Sequence, residues 1–140
     1  MNRTTVEGKH GLLIFDLDDF ERKWIFDEVC ISQNYFPRIN YELDFRIHSK
    51  DTVLDIGAHV GVFSIFAADL ADHGTVYSFE PVKENFERLQ THISLNHSRN
   101  VIAENVGISN RRKRATMYLI ENNSGGHSLY KDKFEILNPK

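Results

Sequence analysis

A glycine turn set between a short β-branched run and a long apolar run leaves this chain few folds to choose from. Residues 52–56 (Thr-Val-Leu-Asp-Ile) read as a strand that Gly57 ends, and the dense apolar stretch 60–71 reads as a helix buried between layers. Gly74, just past Asp72 and His73, sits where a left-handed cap would stop that helix. Residues 76–79 form a second strand closed by Glu80 and Pro81, and Pro81 suits the first turn of a further helix. Phe86, Leu89 and Ile93 carry that helix over about 82–96, and Val101-Ile102-Ala103 opens a third strand. Strand–helix–strand–helix–strand with short links is the pattern of a parallel α/β sheet.

The flanks read as smaller pieces. Residues 4–7 and 12–15 around Gly8 and Gly11 predict a hairpin, and Asp16, Asp18 and Asp19 predict the start of a helix at Phe20 that buries Phe20, Trp24 and Ile25. Past the third strand, 105–109 and 115–120 alternate in hairpin fashion about Arg111-Arg112-Lys113-Arg114, followed by a polar loop over 121–128 and a last strand over 134–137. The organisation expected is an N-terminal extension, 1–48, before an α/β unit, 49–140.

Composition narrows the class. The single cysteine, Cys30, excludes an intrachain disulfide and a multi-cysteine zinc site, and reads as a packed small hydrophobe. With 17 basic and 20 acidic side chains, net charge −3, no general polycation drives the chain onto nucleic acid or a membrane. Asp69 interrupts the longest apolar stretch, and no apolar run follows residues 1–5 as a secretory signal, so a cytoplasmic protein is expected.

The chemistry centres on Asp55-Ile56-Gly57-Ala58-His59-Val60-Gly61. A glycine-rich strand-to-helix turn lets a ligand approach the backbone and aims helix N–H groups at a carboxylate or phosphate. His59 and Val62 stand where a dinucleotide fingerprint needs its second and third glycines, and no phosphate-loop lysine follows. What stands here is D-x-G-x-x-x-G, whose carboxylate would repel a pyrophosphate but suit an amino group. Glu80, at the end of the next strand, faces the same crevice and can accept both hydroxyls of a ribose. S-adenosylmethionine offers the amino group, a carboxylate and a ribose together. The plainer alternative is that Asp55 caps the turn and the glycines only tighten it.

Residues 53–64, then Val76-Tyr77-Ser78-Phe79-Glu80-Pro81, Asn85-Phe86 and Asn96, resemble the FkbM-type S-adenosylmethionine-dependent methyltransferases. Asn105-Val106-Gly107-Ile108-Ser109 and 115–119 match that family's pattern too, and the resemblance covers roughly 25–130. It implies a Rossmann-like methyltransferase sheet and methyl transfer to an oxygen of a small molecule or glycan. It also implies a cofactor site of Asp55, Gly57, Ala58, His59, Gly61, Glu80 and Asn105, the last where adenine docks in this fold. His59 departs from the asparagine common in the family. The family's Lys-Ile-Asp-Val-Glu-Gly-like segment and later strands have no counterpart before Lys140. The expectation is therefore the cofactor-binding first half of a methyltransferase domain, with no assignable base and with self-association through the exposed first strand. The rivals are a non-catalytic cofactor-binding fragment that needs a partner chain and, less favoured by the glycine spacing, a nucleotide-dependent oxidoreductase.

Other conspicuous residues take plain readings. Arg111 to Arg114 read as a solvated hairpin turn, His92 and His97 as surface histidines rather than metal ligands, and Tyr35 as either a packed aromatic or a border of the pocket.

Overall fold

The computed structural model describes residues 2–32, 46–120 and 126–130; Tyr35 and the strand expected over 134–137 lie outside them. The centre is a parallel sheet of β3 (Thr52–Ile56), β4 (Thr75–Phe79) and β5 (Val101–Glu104) in that spatial order, following two antiparallel N-terminal strands, β1 (Asn2–Glu7) and β2 (Leu12–Leu17). The crossovers contain helices α2 (Val62–Leu70) and α3 (Lys83–Leu95), as the apolar spacing predicts. Strand alternation sends Val53, Val76 and Val101 toward Ala67 and Ala68 of α2, which form one small core. The opposite face of the sheet is bare among the described residues: Leu54 is 61% and Ile56 62% exposed. Among the described residues β3 is the outer strand, with β4 as its neighbour.

The N-terminal strands form the predicted hairpin, which lies against the helices and not the sheet. Leu13, Phe15 and Leu17 of β2 point into the main core with Val62, Ile65 and Phe66 of α2. Asp18 then caps α1 (Asp19–Glu21) in a capping box, accepting the Glu21 N–H at 2.8 Å while Glu21 accepts the Asp18 N–H at 3.0 Å. The chain continues as a π-helix over Arg22–Ile31. That winding corrects the expected buried face. With i→i+5 bonding, Glu21 and Phe26 turn inward together with Val29 and Cys30; Ile25 packs on the same core as expected, whereas Trp24 is 52% exposed beneath the Lys23 ammonium. Cys30 is packed as expected, and burial pushes its thiol up to about 12.

Three further expectations are corrected. Gly74 is not left-handed; a Cβ there would stand 2.0 Å from the Asp51 carbonyl oxygen, so close approach is what requires glycine. The hairpin over 105–120 does not form. Asn105 donates to the Glu80 carbonyl at 2.8 Å and Gly107 lies against Pro81, so the segment follows the β4–α3 turn instead of folding back on itself. Arg111 to Arg114 are solvated but turn no hairpin, and Tyr118 pairs with Ser128 instead. Lastly, His92 is not on the surface but 1% exposed.

The reason for that burial is the edge of β2. Arg88 and His92 on α3 and Asn96, its C-cap, fall at i, i+4 and i+8, one stripe of one face. They meet the backbone groups that β2 turns away from β1. Asn96 accepts from Ile14 N–H and donates to Ile14 C=O, both at 2.7 Å; Arg88 donates to Asp16 C=O at 2.9 Å; the His92 ring accepts the Asp16 N–H at 3.0 Å. Strand edges are costly to bury unpaired, and polar side chains here replace a third strand.

Candidate functional site

The C-terminal ends of β3 and β4 meet at the glycine turn. Ile56 pairs with Phe79, so Glu80 comes level with Gly57. Gly57 and Ala58 both donate their N–H to the Phe79 carbonyl, at 2.9 and 3.1 Å, which ties the turn to β4. His59 then adopts a left-handed backbone (φ 53), and Gly61 (φ 87) is the N-cap of α2. Glu80 is buried, and its two carboxylate oxygens accept from His59 N–H at 2.8 Å and Val82 N–H at 2.9 Å. One acidic side chain thus fastens both the glycine turn and the start of α3. Asn105 completes the cluster through its bond to the Glu80 carbonyl. All seven residues singled out from the sequence therefore lie at one end of the sheet.

Asp55 is held from the helix side. Ser78 Oγ donates to Ser64 Oγ at 2.8 Å, and Ser64 Oγ donates to the Asp55 carboxylate. Burial raises the Asp55 pKa; the Ser64 bond opposes that shift, and the Glu80 charge adds to it. Two carboxylates within electrostatic reach of each other at adjacent strand ends make a crevice suited to a cationic group. Burial also holds His59 down to about 4, with the Glu21 carboxylate pulling the other way, so its ring is neutral near pH 7.

Several participants are not singled out as site residues by the sequence. Ser64 and Ser78 are fully buried and belong to the site only because α2 packs on β4. His127 accepts the Ile120 N–H on Nδ1 at 3.0 Å and lies within electrostatic reach of Glu80, Glu84 and His59. Burial holds its ring below the ordinary histidine value. A cavity of about 280 Å³ lies at the other end of the sheet, among Asp69, Asp72, Asn96 and Arg99, and none of the strand-end residues lines it. No helix of the described residues is long and apolar enough to cross a membrane.

Solved structures give matches of modest similarity. The Methanococcus jannaschii fibrillarin pre-rRNA processing protein matches at 19% identity and TM-score 0.46, covering 74% of this chain and 39% of its own. M. jannaschii TYW2 in complex with AdoMet matches at 20% identity and TM-score 0.45, covering 72% and 42%. A SAM-dependent methyltransferase from Aquifex aeolicus matches at 15% identity and TM-score 0.44, covering 73% and 48%. The chain spans less than half the length of each of these structures. No curated protein matches it closely. The family model described as the methyltransferase FkbM domain matches residues 55–136, more than half of the chain. Its match begins at the Asp55 of the glycine turn and takes in Glu80 and Asn105, and the chain belongs to the FkbM methyltransferase domain family.

Proposed function

We propose that the chain binds S-adenosylmethionine at the glycine turn and serves methyl transfer to an oxygen of a small molecule or glycan. The observation that carries this reading is the pairing of Asp55 and Glu80 at adjacent strand ends around a left-handed glycine turn. The donor set fits the cofactor. A carboxylate has about four lone-pair sites, and Glu80 uses two on backbone N–H groups, which leaves acceptors for two ribose hydroxyls. Asp55, held by Ser64, would take the cofactor's amino group, while Gly57, Ala58, His59 and Gly61 shape the turn against its methionine end. Asn105 would border the adenine. When bound, the cofactor supplies a methyl group on a sulfonium, and the anionic crevice favours that cation. Among the described residues none is assigned as the base that deprotonates the acceptor. A partner chain completing the acceptor side is the second reading; the sheet face bearing Leu54 and Ile56, bare among the described residues, favours it.

S-adenosylmethionine or its demethylated product should raise the melting temperature while NAD and ATP do not; stabilisation by NAD alone would transfer the site to a dinucleotide. Glu80→Gln should weaken S-adenosylhomocysteine binding about tenfold, since hydrogen bonds to a charged group contribute about 1.5–3 kcal/mol. A 2′-deoxy analogue should lose affinity against the natural protein and little more against Glu80→Gln. Equal losses in both proteins would take Glu80 off the ribose. For the isolated chain we also expect pairing of two copies along the outer edge of β3, and a clean monomer in sedimentation would remove that expectation.

A further inference from the structure

The buried His92 ring touches both the glycine turn and the N-terminal hairpin. Its Nδ1 lies 2.6 Å from the Val60 carbonyl oxygen, and its Nε2 lies 3.0 Å from the Asp16 backbone nitrogen. A carbonyl oxygen only accepts and a backbone N–H only donates, so the ring carries its proton on Nδ1 and leaves Nε2 bare. Phe15 packs edge-on against it, with ring centroids 5.6 Å apart, which leaves the imidazole little room to turn over.

We propose that His92 is a positioning residue whose neutral ring clamps the glycine turn and the hairpin together across α3, and that protonation at Nε2 breaks the clamp at its hairpin end, the Asp16 N–H. A proton on Nε2 would face the Asp16 N–H donor to donor, so the ring cannot gain charge and keep both bonds. The charged neighbours are Arg88, one turn earlier on α3, and Asp16 on β2; Glu21, at the end of α1, is paired with that arginine, and His59 stands in the glycine turn. The α2 residues of this core, Val62, Ile65 and Phe66, carry no charge. Asn96 does not titrate and keeps Ile14 in place, and Arg88 keeps its bond to the Asp16 carbonyl, so the change is confined to the Asp16 N–H. Burial, ahead of the opposing Val60 hydrogen bond, holds the His92 pKa below its ordinary value. The sign follows: an opened ring takes a proton near the ordinary value while the closed ring resists, so closure is complete at neutral pH and weakens as pH falls.

The test is amide hydrogen exchange on the ligand-free full chain. Protection of the Asp16 amide should fall about tenfold between about pH 7.5 and 5.5, because opening gains tenfold per pH unit below the histidine value of about 6.5. Val76 of β4, which reports unfolding of the whole sheet, should keep its protection over the same range. His92→Gln can accept from Asp16 and donate to Val60 without titrating, and should show a flat Asp16 profile. Constant protection in the natural protein, or the same fall in His92→Gln, would overturn the proposal. If that variant does not fold, the natural protein decides alone: imidazole nitrogen shifts must show the Nδ1–H tautomer at neutral pH, and Nε2–H would refute the clamp. A second arm, which rests on the cofactor reading, measures S-adenosylhomocysteine affinity, expected to weaken on acidification in the natural protein and not in His92→Gln. A pH dependence shared by the two proteins counts against the clamp. Absence of binding at every pH would count against the cofactor reading and leave the exchange result to judge His92.

Discussion

Arg88→Met should destabilise the fold by about 3–5 kcal/mol, a large share of what a domain of this size has in reserve. Glu21 is fully buried, and Arg88 meets it with both terminal guanidinium nitrogens, Nη1 to Oε1 and Nη2 to Oε2, the latter at 2.6 Å. The same Nη2 donates to the Asp16 carbonyl, so one side chain closes both the capped turn and the β2 edge. Burial alone would raise the Glu21 pKa, but the bonds from Arg88 and from the Asp18 backbone outweigh it and leave the carboxyl below its usual value. Methionine keeps much of the arginine's volume and removes its charge, which leaves a carboxylate inside the protein without its guanidinium. The depressed carboxyl of the natural protein gives stability above the unfolded value that is lost as pH falls. The variant's raised carboxyl gives a penalty that vanishes on protonation, so the gap between the two should narrow on acidification. Glu21→Gln combined with Arg88→Met should recover most of the loss, because a buried ion pair contributes far less as a pair than either partner costs when orphaned. Urea unfolding of the three proteins reads this directly, and a loss under about 1 kcal/mol in Arg88→Met would show that the pair is solvated.

What could be read from the chain, and what could not, divides by sequence distance. The turn at Asp55 to Gly61 was legible because a β-branched run, a glycine and an apolar run are neighbours, and Glu80 followed by counting to the next strand end. The His92 clamp was not legible, since its partners Asp16 and Val60 lie 76 and 32 residues away and no local pattern marks them. On the N-terminal helix Ile25 packs on the core as its apolar spacing predicts, but Trp24 faces outward and Phe26, Val29 and Cys30 inward, because these residues wind as a π-helix and not with the α-helical period. The hairpin over 105–120 shows the opposite failure: Val106 and Ile108 alternate properly, but Asn105 is held on the Glu80 carbonyl and the strand never starts. His59, a departure from the family's usual asparagine, stands at a left-handed position, φ 53, where short polar side chains and histidine are the non-glycine residues best tolerated.

Gly57 and Gly61 separate backbone strain from crowding, and substituting each by alanine should give unequal losses. Their φ values are nearly the same, 88 and 87, so each alanine bears a left-handed penalty of about 1–2 kcal/mol. At Gly57 nothing lies within 4 Å of the added Cβ, and the loss should stop there. At Gly61 the Cβ would stand 2.3 Å from Leu89 Cδ1, so the fully buried Leu89 side chain must shift within the core. Overpacking adds about 1–3 kcal/mol, so Gly61→Ala should cost about 2–5 kcal/mol in all. Leu89→Ala alone should cost about 2–5 kcal/mol through the cavity it leaves. The two changes together should cost less than their sum, by the overpacking that each relieves in the other. Strict additivity in denaturant unfolding would mean that Leu89 does not limit the turn. The coupling also reaches the site: Gly61 is the N-cap of α2, and its carbonyl accepts the Ile65 N–H at 3.0 Å. An α2 pushed off Leu89 therefore carries Ser64 and its hydrogen bond to Asp55 with it, so Gly61→Ala should weaken S-adenosylhomocysteine binding if Asp55 takes the amino group.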